Sequence, residues 1–309
     1  MIGQPGATSA FLAQAEKIPP MIERGLVEMT GGKNISAAWR KLISTNDVIG
    51  IKVFAAPGSQ SGTRPEVVAA VVQSLLSSGF SPQKIIIWDK NLTDLRLSGF
   101  SDLAARLNVR LEATTQNGWE EQAFYESSII GNLVWGDLEF GKKGDSVGRK
   151  SFVSKLVARD FTKIISVAPL LNQNCAGVSG HLFGLSMGSI DNSLRFEADP
   201  DRLAVAVPEI LALPETQIFD KLALCITDAL ICQYEGEQRT LLHYSAPLNQ
   251  LWFSKDPVAL DSLAIQELEK QRKLVKAPSA KPNTELYDNA ALMKLGTADP
   301  KKIAVEKTP

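Results

Sequence analysis

The sequence predicts an α/β fold: a doubly wound, mostly parallel sheet with helices on both faces. Three observations lead there. Residues 48–54, 84–88, 163–168 and 221–226 are short runs dominated by Ile, Val, Leu and Ala without alternation, the pattern of strands buried on both sides. Amphipathic stretches with helix-start signals separate these runs, so strands and helices alternate along the chain. The totals are those of an ordinary globular protein, with 309 residues, 44% hydrophobic and 22% charged, enough chain for one large core.

In chain order, residues 1–20 read as an irregular arm closed by Pro19 and Pro20. Proline is tolerated in a first helical turn, so a helix starts there and ends at Gly31 and Gly32. A second short helix over 36–42 carries Trp39 on its apolar side. The first buried strand, 48–54, leads through a turn-rich stretch to Thr63, which with Glu66 three positions later reads as a capping box. The helix it opens buries Val67, Val71, Val72 and Leu75 and stops at Gly79. Strand 84–88 completes a βαβ unit. A helix near 102–107 and a strand near 109–111 follow.

Residues 113–150 are rich in Gly and polar side chains and hold no period. They read as an excursion, or a small subdomain, with short antiparallel strands around 129–135. Residues 151–157 read as a short helix. Beyond the strand at 163–168 come an amphipathic helix over 200–211, the strand at 221–226 and an edge strand at 250–253. Asp256 and Pro257 cap a long helix. A Lys/Pro/Ser linker over 273–285, a last helix over 287–295 ended by Gly296, and a terminal strand at 303–305 complete the reading, with 1–309 expected to form a single α/β domain.

The charge balance narrows the function. Lys and Arg number 33, Asp and Glu 34, for a net charge of −1. Such a chain lacks the footprint of a nucleic-acid binder but has room for a local charged pocket. The partners expected are a small molecule or a protein, with an oligomer left open. Three cysteines (Cys175, Cys225 and Cys232) without a CxxC pair, and two histidines (His181 and His243), lead to the expectation of no zinc, haem or iron–sulfur cluster. No apolar run reaches the roughly 20 residues of a membrane helix. The N-terminal residues lack the basic and apolar regions of a secretion signal, which leaves a cytoplasmic chain or an exported one whose signal was removed.

Open parallel sheets bind ligands at the carboxyl ends of their strands. Those ends offer Lys52, Asp89 and Asp228 as candidate catalytic groups, with Arg64 and Lys90 as candidate anion contacts. Thr63 is better explained as a cap. Lys52, inside a buried run, must be paired or lose its charge. Residues 175–195 carry glycines at 177, 180, 184 and 188, and two readings of the segment stand. It is either a loop cradling a small anion, with Gly177, Gly180 and Asn192 around it and Arg195 as a bidentate clamp, or a helix packed tightly through small residues. His181 and the cysteines read as structural, Asp256 as a cap, and Asp261 as part of an exposed helix face.

Asp47-Val-Ile-Gly-Ile-Lys-Val53, Thr63-Arg-Pro-Glu-Val-Val68, Gly79 and Ile85-Ile-Ile-Trp-Asp89 together resemble the opening of the domain of unknown function 362 family. Gly177-Val-Ser-Gly180, Gly188-Ser-Ile-Asp-Asn192 and Arg195 resemble its centre. Asp228-Ala-Leu230, Asp256-Pro-Val-Ala-Leu-Asp261 and Ala290-Ala-Leu-Met-Lys-Leu-Gly296 resemble its tail. The resemblance implies the fold and a site at the strand ends, and many relatives of this type are exported. It also marks departures. Phe183 and Gly184 stand where relatives have lysine-asparagine; Gln173, Met187 and Glu197 stand where they carry histidines; and an asparagine after the strand lysine is replaced near Phe54. Two functions follow as expectations. The first is a non-catalytic or site-degenerate protein that binds a partner or a small ligand. The alternative is an enzyme acting on a small anionic metabolite. The departures favour the first.

Overall fold

The computed structural model describes residues 1–142, 146–278 and 283–308. In chain order the N-terminal part contributes β1 (Ile2–Gly3), β2 (Thr8–Ser9), β3 (Leu12–Ala13), α1 (Ile18–Thr30), α2 (Ile35–Leu42), β4 (Ile49–Lys52), α3 (Pro65–Ser77), β5 (Ile85–Asp89), α4 (Leu92–Leu97), α5 (Phe100–Leu107), β6 (Arg110–Ala113) and α6 (Thr114–Asn117). Then come β7 (Trp119–Asn132), β8 (Val147–Ser154), β9 (Lys163–Gln173), β10 (Gly177–Val178), α7 (His181–Ser189), α8 (Leu194–Glu197), α9 (Pro200–Leu211), α10 (Ile218–Lys221), β11 (Leu222–Gln233), β12 (Ser245–Ser254), α11 (Pro257–Leu274) and α12 (Thr284–Leu292).

One sheet takes the order β1-β12-β11-β9-β4-β5-β6, with β10 paired to β9. The stretch from β11 to β6 is parallel throughout; β12 and β1 add antiparallel pairings at one side. The four apolar runs supply four of the five parallel strands. Alternate side chains feed opposite faces. Ile49, Ile51, Ile85 and Ile87 enter a core with Leu26, Trp39, Val71 and Phe100, while Ile86, Trp88 and Ile164 enter a second core with Phe183, Val207 and Val258. Two cores, one on each face, make the fold a doubly wound α/β sheet.

Several elements differ from the sequence reading for identifiable reasons. The arm is not irregular: β1 pairs with β12, Ile2 opposite Leu251, so 250–253 is covered along its outer side there. Residues 303–305 form no strand; Thr308 instead bridges Ile2. Residues 151–154 belong to β8, where Phe152 faces Phe124 across the hairpin with ring centroids 5.5 Å apart, and a wide helical turn follows at Leu156–Asp160. Thr63 does not cap α3. Its hydroxyl accepts from Phe54 N (2.8 Å) and donates to Val167 O (2.7 Å), which ties the exit of β4 to β9. The last helix starts earlier than expected because Asn283 caps it, accepting from Leu286 N. The 273–285 linker begins inside α11, and its residues 279–282 lie outside the described residues.

Candidate functional site

A cavity of about 330 Å³ opens at the carboxyl ends of β4 and β5, where a parallel sheet exposes backbone ends and leaves room for a ligand. The strand ends contribute Lys52, Phe54, Asp89 and Lys90. Helix α7 contributes Phe183, Gly184, Met187 and Gly188 as one wall. The loop of the β7–β8 hairpin roofs it with Val134, Trp135, Gly136 and Asp137.

The floor is a closed ion pair. Lys52 Nζ lies 2.8 Å from Asp89 Oδ1 and donates to Val53 O at 2.6 Å. Asp89 Oδ2 accepts from Ala55 N (2.8 Å), and Oδ1 also accepts from Lys90 N (2.8 Å). A buried charge is tolerable only when paired and hydrogen-bonded, and both members here meet that condition. Helix α7 crosses directly above. A Cβ on Gly188 would sit 2.5 Å from Lys52 Cε, so a glycine is what lets the helix come this near.

Lys90 forms the side of the cavity. Its ammonium donates to Ser193 Oγ, which in turn donates to Glu197 Oε1 at 2.5 Å. Burial lowers the Lys90 pKa, and the neighbouring Glu197, Asp137, Asp191 and Asp89 pull it back up. The roof is held by two carboxylates that cross over. Asp137, in the hairpin loop, accepts from Val134 N (2.8 Å) and from Asn192 N (3.1 Å). Asp191 accepts from Leu138 N (2.8 Å) and Phe152 N (2.5 Å). Trp119 donates its indole N–H to Gly136 O (2.7 Å), while the Trp135 side chain is 88% exposed at the mouth.

Of the residues singled out from sequence, the fold brings Lys52, Asp89, Lys90 and Asn192 to this cavity; Arg64, Asp228, Gly177, Gly180 and Arg195 are not among its lining. Arg64 and Asp228 form a second ion pair at 2.9 Å, and Asp228 also accepts from Arg64 N. Arg195 donates to the carbonyls of Ile129 (2.7 Å) and Tyr125 (3.2 Å) and to the hydroxyls of Ser127 and Ser151, with its guanidinium 4.3 Å from the Phe196 ring centre. Gly177 meets Ile265 and Gly180 meets Asp261. Within 175–195 the chain forms β10, α7 and α8.

Asp261 is buried, not on an exposed helix face. It caps α7 from the neighbouring α11, accepting from His181 N (2.8 Å) and Leu182 N (2.9 Å). Its capping partners are 80 and 79 residues away in sequence, so nothing local marked it. His181 is enclosed between Ser166 Oγ (2.8 Å) and Thr227 Oγ1 (3.1 Å), and burial lowers its pKa to about 3, so the ring stays neutral. Burial also pushes the Cys225 and Cys232 thiols up. Trp135, Asp137 and Ser193 were missed as site residues. The one available signal was a tryptophan in the turn-rich stretch Asn132-Leu-Val-Trp-Gly-Asp137, with no apolar period to place it in a core.

Burial raises both Asp261 and Asp191 from 3.8 to about 7, against the backbone N–H bonds that favour their ionised forms. Each therefore binds a proton more readily in the folded chain. The stability they add is fully present below about pH 4 and is lost as pH rises towards 7. Urea midpoints taken between pH 4 and 8 should show this decline in the parent and a shallower one in Asp261→Asn. Equal slopes would remove Asp261 from the account.

The fold and the cleft define an α/β protein with a pocket at the ends of adjacent parallel strands. The family described as a domain of unknown function (DUF362) matches residues 49–266, and the chain belongs to that family. A crystal structure of a Thermotoga maritima protein, a structural-genomics target, is similar at a TM-score of 0.46 and 15% identity, over 87% of this chain and 61% of that one. This chain thus spans about three fifths of that protein. No curated protein matches. Among the described residues no helix is long and apolar enough to cross a membrane, and no three His, Cys, Asp or Glu side chains cluster as metal ligands would.

Proposed function

We propose that this chain binds a small organic ligand in the cleft between β4, β5, α7 and the hairpin loop, and does not transform it. The observation that carries this reading is the floor of the cavity, where Lys52 and Asp89 spend their charges on each other and on backbone groups. General acid–base or nucleophilic chemistry needs a group within reach of the substrate and free to exchange a proton. The neutral His181 and the thiols of Cys225 and Cys232 lie outside the lining, and the other charged groups that line it are engaged: Lys90 and Glu197 through Ser193, Asp137 by the backbone of Val134 and Asn192, and Asp94 by the Asn91 amide. The positions at which the chain departs from its family's pattern support the same reading. Phe54, Phe183, Gly184, Met187 and Glu197 all line the cavity; of these, Phe54, Phe183 and Met187 put apolar surface on its walls, while Glu197 keeps a carboxylate there. Such walls, with a few polar contacts, are the usual make-up of a small-molecule pocket.

Gly184 provides the test. A Cβ there would meet no atom within 4 Å, so a larger side chain leaves the helix into open space on the cavity wall. Native mass spectrometry of the chain purified from its own source should find a bound small molecule on the parent and none on Gly184→Leu, at an unchanged unfolding midpoint. A parent without any bound mass, or one whose bound mass survives the substitution, would argue against the cleft. Conversion of the released molecule on prolonged incubation with the parent would favour the enzyme reading.

A further inference from the structure

We propose that the ligand of this cleft is a small organic cation, a protonated amine on an apolar or aromatic body; this rests on the binding reading above. Six charged side chains line the cavity: Lys52, Lys90, Asp89, Asp94, Asp137 and Glu197. Two ammonium groups against four carboxylates leave a formal excess of two negative charges. The excess is also localised. Lys52 closes on Asp89, and Lys90 is linked through Ser193 to Glu197. Asp94 and Asp137 form no salt bridge among the described residues; Asp137 lies close enough to Lys90 to act on it, but their direct donors are neutral amides: Asn91 Nδ2 for Asp94, and the backbone of Val134 and Asn192 for Asp137. A cleft with low-dielectric walls concentrates the field of such groups and raises the local level of the opposite charge.

One further feature agrees. Trp135, two residues from Asp137, places an 88% exposed indole on the same lining. An aromatic face attracts a cation most strongly when that face belongs to tryptophan. The apolar body would lie against Phe54, Phe183 and Met187. A small anion would instead meet the excess of carboxylates, which sets this ligand class apart from the anionic metabolite of the enzyme reading.

Three probes of one shape and different charge decide it: benzylamine, benzyl alcohol and benzoate, titrated calorimetrically and by tryptophan fluorescence. Benzylamine should bind at least about tenfold more tightly than either of the others. Its affinity should fall severalfold in Trp135→Leu and in Asp94→Asn, and be lost in Gly184→Leu, with unfolding midpoints showing each variant folded. Benzoate binding more tightly, with the same loss in Gly184→Leu, would overturn the cation while leaving the cleft standing. So would benzyl alcohol matching benzylamine. If none of the three binds in a way that Gly184→Leu removes, the cation proposal fails, and the native mass measurement judges the cleft on its own.

Discussion

Asp228→Ala should destabilise the chain by roughly 3–5 kcal/mol, the cost of breaking a buried ion pair from one side. Asp228 is fully buried on β11 and Arg64 is 3% exposed, so removal of the carboxylate strands a guanidinium where water cannot reach it. The same change takes the acceptor from Arg64 N and from Leu230 N, at 3.1 and 3.3 Å. The measurement is the urea unfolding free energy. The double variant Arg64→Met/Asp228→Leu should recover much of the loss, because two apolar groups replace a pair that had to be desolvated. Recovery should stop short of the parent, since the two backbone donors still lack their acceptor. A single variant within about 1 kcal/mol of the parent would mean that Arg64 finds another partner or solvent.

Arg195→Ala should cost roughly 2–4 kcal/mol through unpaired buried acceptors and lost stacking. The Arg195 guanidinium joins both strands of the hairpin, through Tyr125 and Ile129 on β7 and Ser151 on β8, and packs on Phe196. The hairpin carries the roof of the cleft, so Trp135 fluorescence should shift together with the unfolding midpoint. Arg195→Lys should restore only part of the stability, because a single ammonium cannot reproduce a planar fork of donors. Burial lowers the Arg195 pKa to about 10, still well above neutral pH, so the side chain keeps its charge there. If Arg195→Ala instead left stability unchanged and abolished ligand binding, the residue would belong to the ligand rather than to the hairpin.

The parallel strands were legible because burial on both faces writes a continuous apolar run, which no surface element imitates. Strand β5, Ile-Ile-Ile-Trp-Asp, is the clearest case. The β7–β8 hairpin was not legible at its true length. It stands apart from the main sheet, and β7 mixes buried Ala123 and Tyr125 with exposed Glu121 and Glu126, with register shifts that break the alternation. The two-residue strands β1 to β3 are too short to carry any period. The site divides in the same way. Lys52 and Asp89 could be found because charged residues within or just after a buried strand must be paired. Asp137 and Asp191 could not, because each satisfies backbone groups from distant stretches of chain.

The glycines at 180, 184 and 188 repeat every four residues, yet they differ in the freedom they leave to change. All nine residues of α7 are buried. A methyl group at 180 would strike Asp261 and one at 188 would strike Lys52, whereas at 184 it would enter open space. Two of the three positions are therefore fixed by their neighbours, and the third faces the open cleft. A lineage carrying this fold can resize the cleft in one mutational step at 184 without touching the helix cap or the ion pair beneath. The mouth, formed by the hairpin loop, can diversify separately. The packing of the helix and the shape of the cleft are thereby assigned to different turns of one helix, so the cleft can change shape without a compensating change in the packing beneath.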